Sequence, residues 1–248
     1  PVRMIIPVGV AGATDIVGRI VAEQMGTILG RPVVPENVVG AGSTIGATAF
    51  QRAPADGYTI FIGDIGTLAL NPSLFSKLSY DPAKDFQPLA RLVIAPSMLV
   101  VPKASPYGSV GELIAAAKTK PEGLSCASQG PGSGGHLFCE LVRSQTGAKV
   151  THVPYKGSAP ALTDVIGGQV DMLFDAIPTS GAFVKEGKVK GLAIGTAKRI
   201  APFPDVPTLD ELGFAKINEV GWFGAVARSG TPEPIVTKLN AELVAAMQ

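Results

Sequence analysis

The chain opens on an apolar run, "VRMIIPV" at residues 2–8, with almost no polar alternation. Such a run fits a strand covered on both faces. A Gly/Ala loop follows at residues 9–15. Val17, Ile20, Val21, Met25 and Ile28 then recur at helical spacing, and Gly30 stands where that helix should stop. This predicts a helix starting at Thr14 or Asp15. The same order returns twice. "PVVPENVV" reads as a short strand, residues 40–43 as a Gly loop, and a helix begins at about Thr44; "DGYTIFIGD" reads as a turn and an apolar strand, and "IGTLALNPSLF" as a loop with a short helix. Three strand–loop–helix units by Pro88 predict a mostly parallel sheet. Ligands of open parallel sheets bind outside the C-terminal strand ends. The loops at residues 9–15, 40–44 and 63–67 are therefore expected to open on one edge.

Residues 86–103 hold two extended runs on either side of Pro96, read as the crossover into a second lobe. Ser109 and Glu112 have capping-box spacing, which places a helix after them. "LSCAS" is a strand pattern that becomes a turn rich in glycine at Gly130, Gly132, Gly134 and Gly135. The turn enters a helix with Leu137, Leu141 and Val142 on one side, Ser133 as N-cap and His136 in the first turn. A helix start presents unpaired N–H groups and a positive dipole end, and glycines admit a ligand close to the backbone. The stretch reads as a seat for a carboxylate or phosphate. A strand at residues 150–153 follows, then a helix with Pro160 in its first turn, a buried strand ending at Asp175, a short helix and the strand "VKGLAIGT". Thr208 and Glu211 repeat the capping-box spacing. The strand "EVGWFGAVARSG" returns the chain to the first lobe. A last amphipathic helix has Thr231 as its cap and Ile235, Leu239 and Leu243 on its face. The lobes are thus expected at residues 1–94 plus 222–248 and at 95–221.

Composition narrows the classes. Twenty-one basic and 20 acidic residues give nucleic acid or an anionic membrane surface no footprint, and 46% hydrophobic against 17% charged residues excludes a disordered chain. No apolar run reaches the length of a membrane span. The chain starts directly in a strand and stops inside a helix pattern, so it is expected to be a processed chain that is cut short. Cys126, on a strand, and Cys139, on the next helix, can pair, but two separate buried thiols are the expectation.

Catalysis is hard to assemble from these residues. Gly130, Gly132 and Gly135 satisfy G-x-G-x-x-G. The acidic residue that a dinucleotide needs at the end of the next strand is missing, however, and Tyr155 and Lys156 stand there instead. Lys156 suits a 2′-phosphate, so an NAD(P)-dependent enzyme stays as an alternative. His136 and Cys139 are neighbours on one helix, but a cysteine flanked by Phe138 and Leu141 reads as core. His136 and His152 lie far apart in sequence and Cys126 is isolated, so no metal site and no cofactor is expected. Small polar residues gather at the loop tips: Thr14, Ser43, Thr44, Asp64, Thr67, Ser128, Gln129 and Ser133. Together with Gly132, Gly134 and their neighbours they suit a pocket that hydrogen-bonds a small solute. Asp64 and Asp175, at strand ends, are read as helix caps, holders of water, or acceptors for a donor on the solute.

Several blocks carry a resemblance. "GAGSTIGATAFQRAPADGYTIFIG", "YDPAKDFQPLARL", "GPGSGGHL", "HVPYKGSAPALTDVIGGQVDMLFD" and "WFGAVARSGTPEPIVTKLNAEL" together resemble the solute-binding receptors of tripartite tricarboxylate transporters, the Bug/TctC family. The resemblance spans essentially the whole chain. It implies a periplasmic type II binding-protein fold: two α/β lobes joined by a hinge, a carboxylate such as a dicarboxylate or aromatic acid in the cleft, and delivery to membrane permease subunits. It further implies a monomer, no enzyme activity and, in some relatives, a sensory role beside a two-component kinase. Carried over residue by residue, it assigns the solute to Gly12, Ala13, Thr14 and Asp15 in the first loop. In the second loop it assigns Ser128, Gly130, Ser133 and His136, with Asp175 ending the "DMxFD" strand. The first loop departs from the family's "PxPPGGGTD": here Val10, Ala11 and Ala13 put side chains where the family pattern is Pro or Gly.

Overall fold

The computed structural model describes residues 1–218 and 221–247. Residues 219 and 220, the start of the strand expected around the tryptophan, lie outside them. The chain forms two compact units, Pro1–Ile94 with Trp222–Gln248, and Ala95–Gly221.

The first unit begins with β1 (Val2–Ile6), α1 (Ala13–Leu29), β2 (Val33–Asn37), α2 (Thr44–Gln51) and β3 (Thr59–Asp64). A π turn, Gly66–Leu70, leads into the short helices α3 (Asn71–Leu74) and α4 (Pro82–Asp85), then β4 (Phe86–Ala95). β1 pairs in parallel with both β2 and β3, so the loops that follow all three strands leave the same sheet edge. The apolar run that opens the chain is fully buried at Met4, Ile5 and Ile6, as are Ile60, Phe61 and Ile62 of β3. Each such side chain contributes about 1.5–3 kcal/mol by leaving water.

Helix α1 starts at Ala13 and ends at Gly30, whose φ of 60° closes the helix in a left-handed turn. Its buried face is Gly18, Val21, Ala22 and Met25. Ile20 and Ile28, expected on that face, are 55% and 43% exposed. The cause is Gly18: a Cβ there would come within 2.7 Å of Ile6. The helix rests on the sheet at this bare position, which turns the Ile20–Ile28 stripe outward.

The second unit holds β5 (Ser97–Pro102), α5 (Val110–Thr119), β6 (Leu124–Ser128), α6 (Gly134–Thr146), β7 (Val150–Pro154), α7 (Ser158–Ile166), β8 (Met172–Ala176), α8 (Ile177–Lys185), β9 (Val189–Ile194) and a 3₁₀ turn, Ala215–Ile217. Its sheet has the order β7-β6-β8-β5-β9. β6 is parallel to β7 and β8, while β5 is antiparallel to β8 and β9. The chain then re-enters the first unit as β10 (Gly221–Arg228) and α9 (Glu233–Ala246). The first sheet is ordered β2-β1-β3-β10-β4, with β10 antiparallel to β3. Both sheets are therefore mixed, with parallel strands carrying the helix-entry loops.

Two local expectations are corrected. Cys126 and Cys139 are joined by a disulfide rather than held as separate thiols. α6 folds back on β6 and brings their Cα atoms to 5.9 Å, within the range a disulfide spans. Thr231 does not cap α9: its hydroxyl donates to the Arg228 carbonyl at 2.7 Å, closing the turn before the helix, and Pro232 takes the N-cap position. The reciprocal bonds of the second capping box, between Thr208 and Glu211, form as the spacing implies, at 3.0 Å each, and close a turn ahead of the 3₁₀ segment. The Ser109 cap is as expected; its hydroxyl accepts the Glu112 N–H, while the Glu112 carboxylate accepts the N–H of Gly108.

Candidate functional site

In the first unit the loop after β1 delivers the start of α1. Gly12 is the N-cap and offers no side-chain cap. The first three helical N–H groups, of Ala13, Thr14 and Asp15, therefore lack intrahelical acceptors, as at any helix start. The loop is held from beneath by Asp15, which is buried. Its carboxylate accepts the Ala11 N–H at 2.9 Å, the Arg19 guanidinium at 2.9 Å and the Asn37 side-chain N–H at 2.8 Å. Burial pushes this carboxyl up, but the bonds from Arg19, Asn37 and Ala11 outweigh it and hold its pKa below the usual range. Asp15, carried over as a solute contact, is thus a brace for the loop that presents its neighbours' N–H groups.

The other two loops of that edge are also tied down. In the second, the Thr44 hydroxyl donates to the Ala41 carbonyl at 2.8 Å, and Ser43 sits at the helix start with φ 70°. In the third, the Asp64 carboxylate accepts both the N–H and the hydroxyl of Thr67 at 2.9 Å. Asp64 caps its own turn, one of the readings open from sequence. Asn71 joins the second loop to the third: its amide donates to the Gly42 carbonyl at 3.1 Å and to the Tyr80 hydroxyl at 3.0 Å, and Tyr80 donates onward to the Thr67 carbonyl. Burial pushes the Tyr80 phenol up to about 12, so it serves as a neutral donor.

In the second unit the loop after β6 enters α6 through Ser133, whose hydroxyl accepts the His136 N–H at 3.2 Å and donates to the Gly130 carbonyl at 2.7 Å. Ser128, fully buried, accepts the Gly130 N–H at 3.1 Å. His136 Nδ1 accepts the Gly132 N–H at 3.1 Å, and the Gln129 side chain accepts the Gly135 N–H at 3.2 Å. Several N–H groups read as free for an anion are therefore engaged inside the turn. Gly135 is required by packing, since a Cβ there would lie 2.8 Å from the Phe174 carbonyl. The last glycine of the dinucleotide fingerprint thus has a local steric cause.

Asp175, next to last in β8, is buried among donors. Its carboxylate accepts Gln129 Nε2 at 2.7 Å, the Ser158 hydroxyl at 2.7 Å and the Thr179 hydroxyl. Burial raises its pKa; the bonds from Thr179, Ser158 and Gln129 oppose the rise without cancelling it. The residue ties β8, α7, α8 and the Gly-rich turn together.

Sequence reading missed Asn37, Asn71, Tyr80, Ser158 and His152 in this setting. For His152 a signal existed. β7 pairs in parallel with β6 in the register Cys126 to His152, so His152 shares the sheet face of Cys126 and Ser128, the face that α6 covers. The His152 ring stacks on that of His136, centroids 4.1 Å apart. Two histidines far apart in sequence are thus neighbours. Among the described residues no group of three or more His, Cys, Asp or Glu side chains is arranged to hold a metal ion.

Two α/β units, crossed twice by the chain and each presenting helix starts at the C-terminal ends of parallel strands, define the class: this is the fold of periplasmic solute-binding proteins. The family described as "Tripartite tricarboxylate transporter family receptor" matches residues 17–248, and the chain belongs to it. It is a family of transport receptors, not of enzymes. Protein BugT of Bordetella pertussis is 35% identical over 249 aligned residues, covering 100% of this chain and 76% of BugT. Among solved structures, an adipate-bound protein of R. palustris has a TM-score of 0.94 at 38% identity, covering 98% of this chain and 82% of that one. MatC of Rhodopseudomonas palustris with bound malate also scores 0.94 at 38% identity, covering 99% of this chain and 83% of its own.

Proposed function

We propose that this protein is a periplasmic receptor that captures a small organic carboxylate, a dicarboxylate or an aromatic acid, between its two units. It acts as a monomer and delivers the acid to the membrane permease subunits of a tripartite transporter. The observation that carries the reading is the start of α1, uncapped by any side chain and braced from below by Asp15. Such a helix end stabilises an anion through N–H groups and the dipole, with no cationic side chain required. Arg19, the nearby cation, is spent on Asp15 and Asn37. Adipate and malate in the solved relatives support the ligand class. In this proposal Gly12, Ala13 and Thr14 meet the acid from one unit, with Ser43, Thr44 and Thr67 beside them. Gly134 and the turn from Ser128 to His136 meet it from the other. Asp15, Asp64 and Asp175 organise the loops and do not touch the acid.

Thermal unfolding with a panel of adipate, malate, an aromatic acid, NAD and NADP tests this. At a ligand concentration about 100-fold above Kd, a binding acid adds about 2.7 kcal/mol to stability. At least one acid is expected to raise the melting temperature and neither dinucleotide to do so. The reverse pattern would overturn the assignment.

A further inference from the structure

The chain has two histidines, and the fold stacks one on the other, centroids 4.1 Å apart and planes within 14°. Each is bonded to the Gly-rich turn of the second unit. A backbone N–H can only donate, so the bond from Gly132 N–H to His136 Nδ1 requires Nδ1 to carry no proton. His152 Nε2 lies 2.6 Å from the Ser128 hydroxyl, and that hydroxyl oxygen accepts the Gly130 N–H. The two rings thus grip the turn at Gly132 and, through Ser128, at Gly130. We propose that His136 and His152 are positioning residues of the carboxylate site: the stacked, neutral pair holds residues 128–133 in binding shape, and a proton on His136 Nδ1 releases Gly132.

The surroundings of His152 favour its neutral form. Burial lowers the His152 pKa, the neighbouring His136 lowers it further, and Glu140 opposes both. Glu140, which bears on His152, is itself paired with Arg143, one turn along α6. β6 and β7 bring no other charged side chain, and β7 is the edge strand of its sheet. Two imidazolium rings at this separation repel each other, so the pair takes one proton before a second.

The inference rests on the carboxylate-receptor reading only for its effect on affinity; the grip itself is testable without ligand. In the ligand-free full chain, ¹⁵N-labelled, the Gly132 amide and both imidazoles are followed by NMR from about pH 8 to about pH 5, the range in which histidine titrates. The Gly132 amide is expected to move with the midpoint of the His136 ring. In His136→Asn, whose side-chain oxygen keeps an acceptor that does not titrate, it is expected to stay still. In His152→Phe, which keeps the stack and drops the nitrogen, the Gly130 amide should shift while Gly132 continues to follow His136. Adipate affinity, measured over the same range, should fall on acidification about threefold further in wild type than in His136→Asn, or about 0.7 kcal/mol. A Gly132 amide indifferent to the His136 titration would overturn the proposal, and so would equal falls in affinity. The wild-type titration decides the first point even if a variant does not fold. Gly132 tracking His136 while no carboxylate binds at any pH would instead sink the receptor reading and leave the grip standing.

Discussion

The side chains of Asp15 and Asn37, 22 residues apart, meet at 2.8 Å beneath the loop that enters α1. Asn37 also donates to the Val8 carbonyl at 2.9 Å and accepts from Arg19 at 2.8 Å, so the end of β2 fixes both sides of the loop after β1. Replacing Asn37 by Ala leaves a buried carboxylate short of one donor and a backbone carbonyl unpaired. The expected cost is about 1–3 kcal/mol. Chemical denaturation should show it, together with weaker binding of any acid that stabilises the wild type. Unchanged stability would mean that the loop keeps its shape without this bond.

The same carboxylate makes a pH prediction. The folded Asp15 pKa is depressed, so its contribution is present above the unfolded-state pKa and is lost as pH falls through the folded value. Asp15→Asn cannot lose a charge. The stability gap between wild type and variant should therefore be widest near neutral pH and shrink in acid, as read by denaturant midpoints at a series of pH values.

Ala11 holds φ at 64°, in the left-handed region, one residue before the N-cap of α1. A side chain there costs about 1–2 kcal/mol, which glycine would not pay. Glycine also gives the unfolded chain more freedom, which takes back about 0.4–1 kcal/mol. The net expectation for Ala11→Gly is a gain of about 0.5 kcal/mol, or roughly 1–2 °C in melting temperature for a chain of this size. A fall in melting temperature would show that the Ala11 methyl makes contacts that outweigh its strain.

The apolar runs made the strands legible, and the breaks of small residues between them located the loops. Gly30 and Ser133 marked helix ends because their chemistry acts on the nearest backbone. The α1 face was misjudged at Ile20 and Ile28, because Gly18, one small residue, set the helix's seat on Ile6. The candidate loops were legible, and their internal bonding was not. They could be named from their small residues, but the task of each polar side chain could not. Asp15, Asp64 and Asp175 read as solute contacts or caps, and their protein partners, 3 to 46 residues away, came into view only in the fold. The disulfide and the histidine stack belong to the same class, since both depend on how α6 lies on β6 and β7.

The disulfide joins β6 to α6 directly beneath the Gly-rich turn. Closing a loop of 13 residues in the unfolded chain is worth about 3 kcal/mol on the chain-entropy account. The double variant Cys126→Ala, Cys139→Ala should lose about 2–4 kcal/mol by denaturation. Both sulfurs are buried, so a reducing agent should act on the native protein slowly and at the rate of local opening. Fast reduction without loss of structure would mean that the bridge is reached by solvent and does not hold the helix.

Asp175 should behave in the opposite sense to Asp15. Burial raises its folded pKa, so the stability it contributes is complete below the unfolded-state pKa and declines as pH rises through the folded value. Above that point a full charge sits in the core, offset only by the bonds from Gln129, Ser158 and Thr179. An Asn in its place keeps one oxygen to accept from Gln129 and Ser158. Its amide can donate to the Thr179 hydroxyl, which already donates to the Ala176 carbonyl at 2.8 Å. Asp175→Asn should therefore compare worst with wild type in acid and gain on it as pH rises, whereas Asp175→Ala should be poorer at every pH because it leaves buried donors empty. Denaturant midpoints for the three proteins across the pH range provide the check. If the Asn variant instead loses ground with rising pH, the ionised carboxylate is the form the fold prefers, and its three donors outweigh the cost of burying the charge.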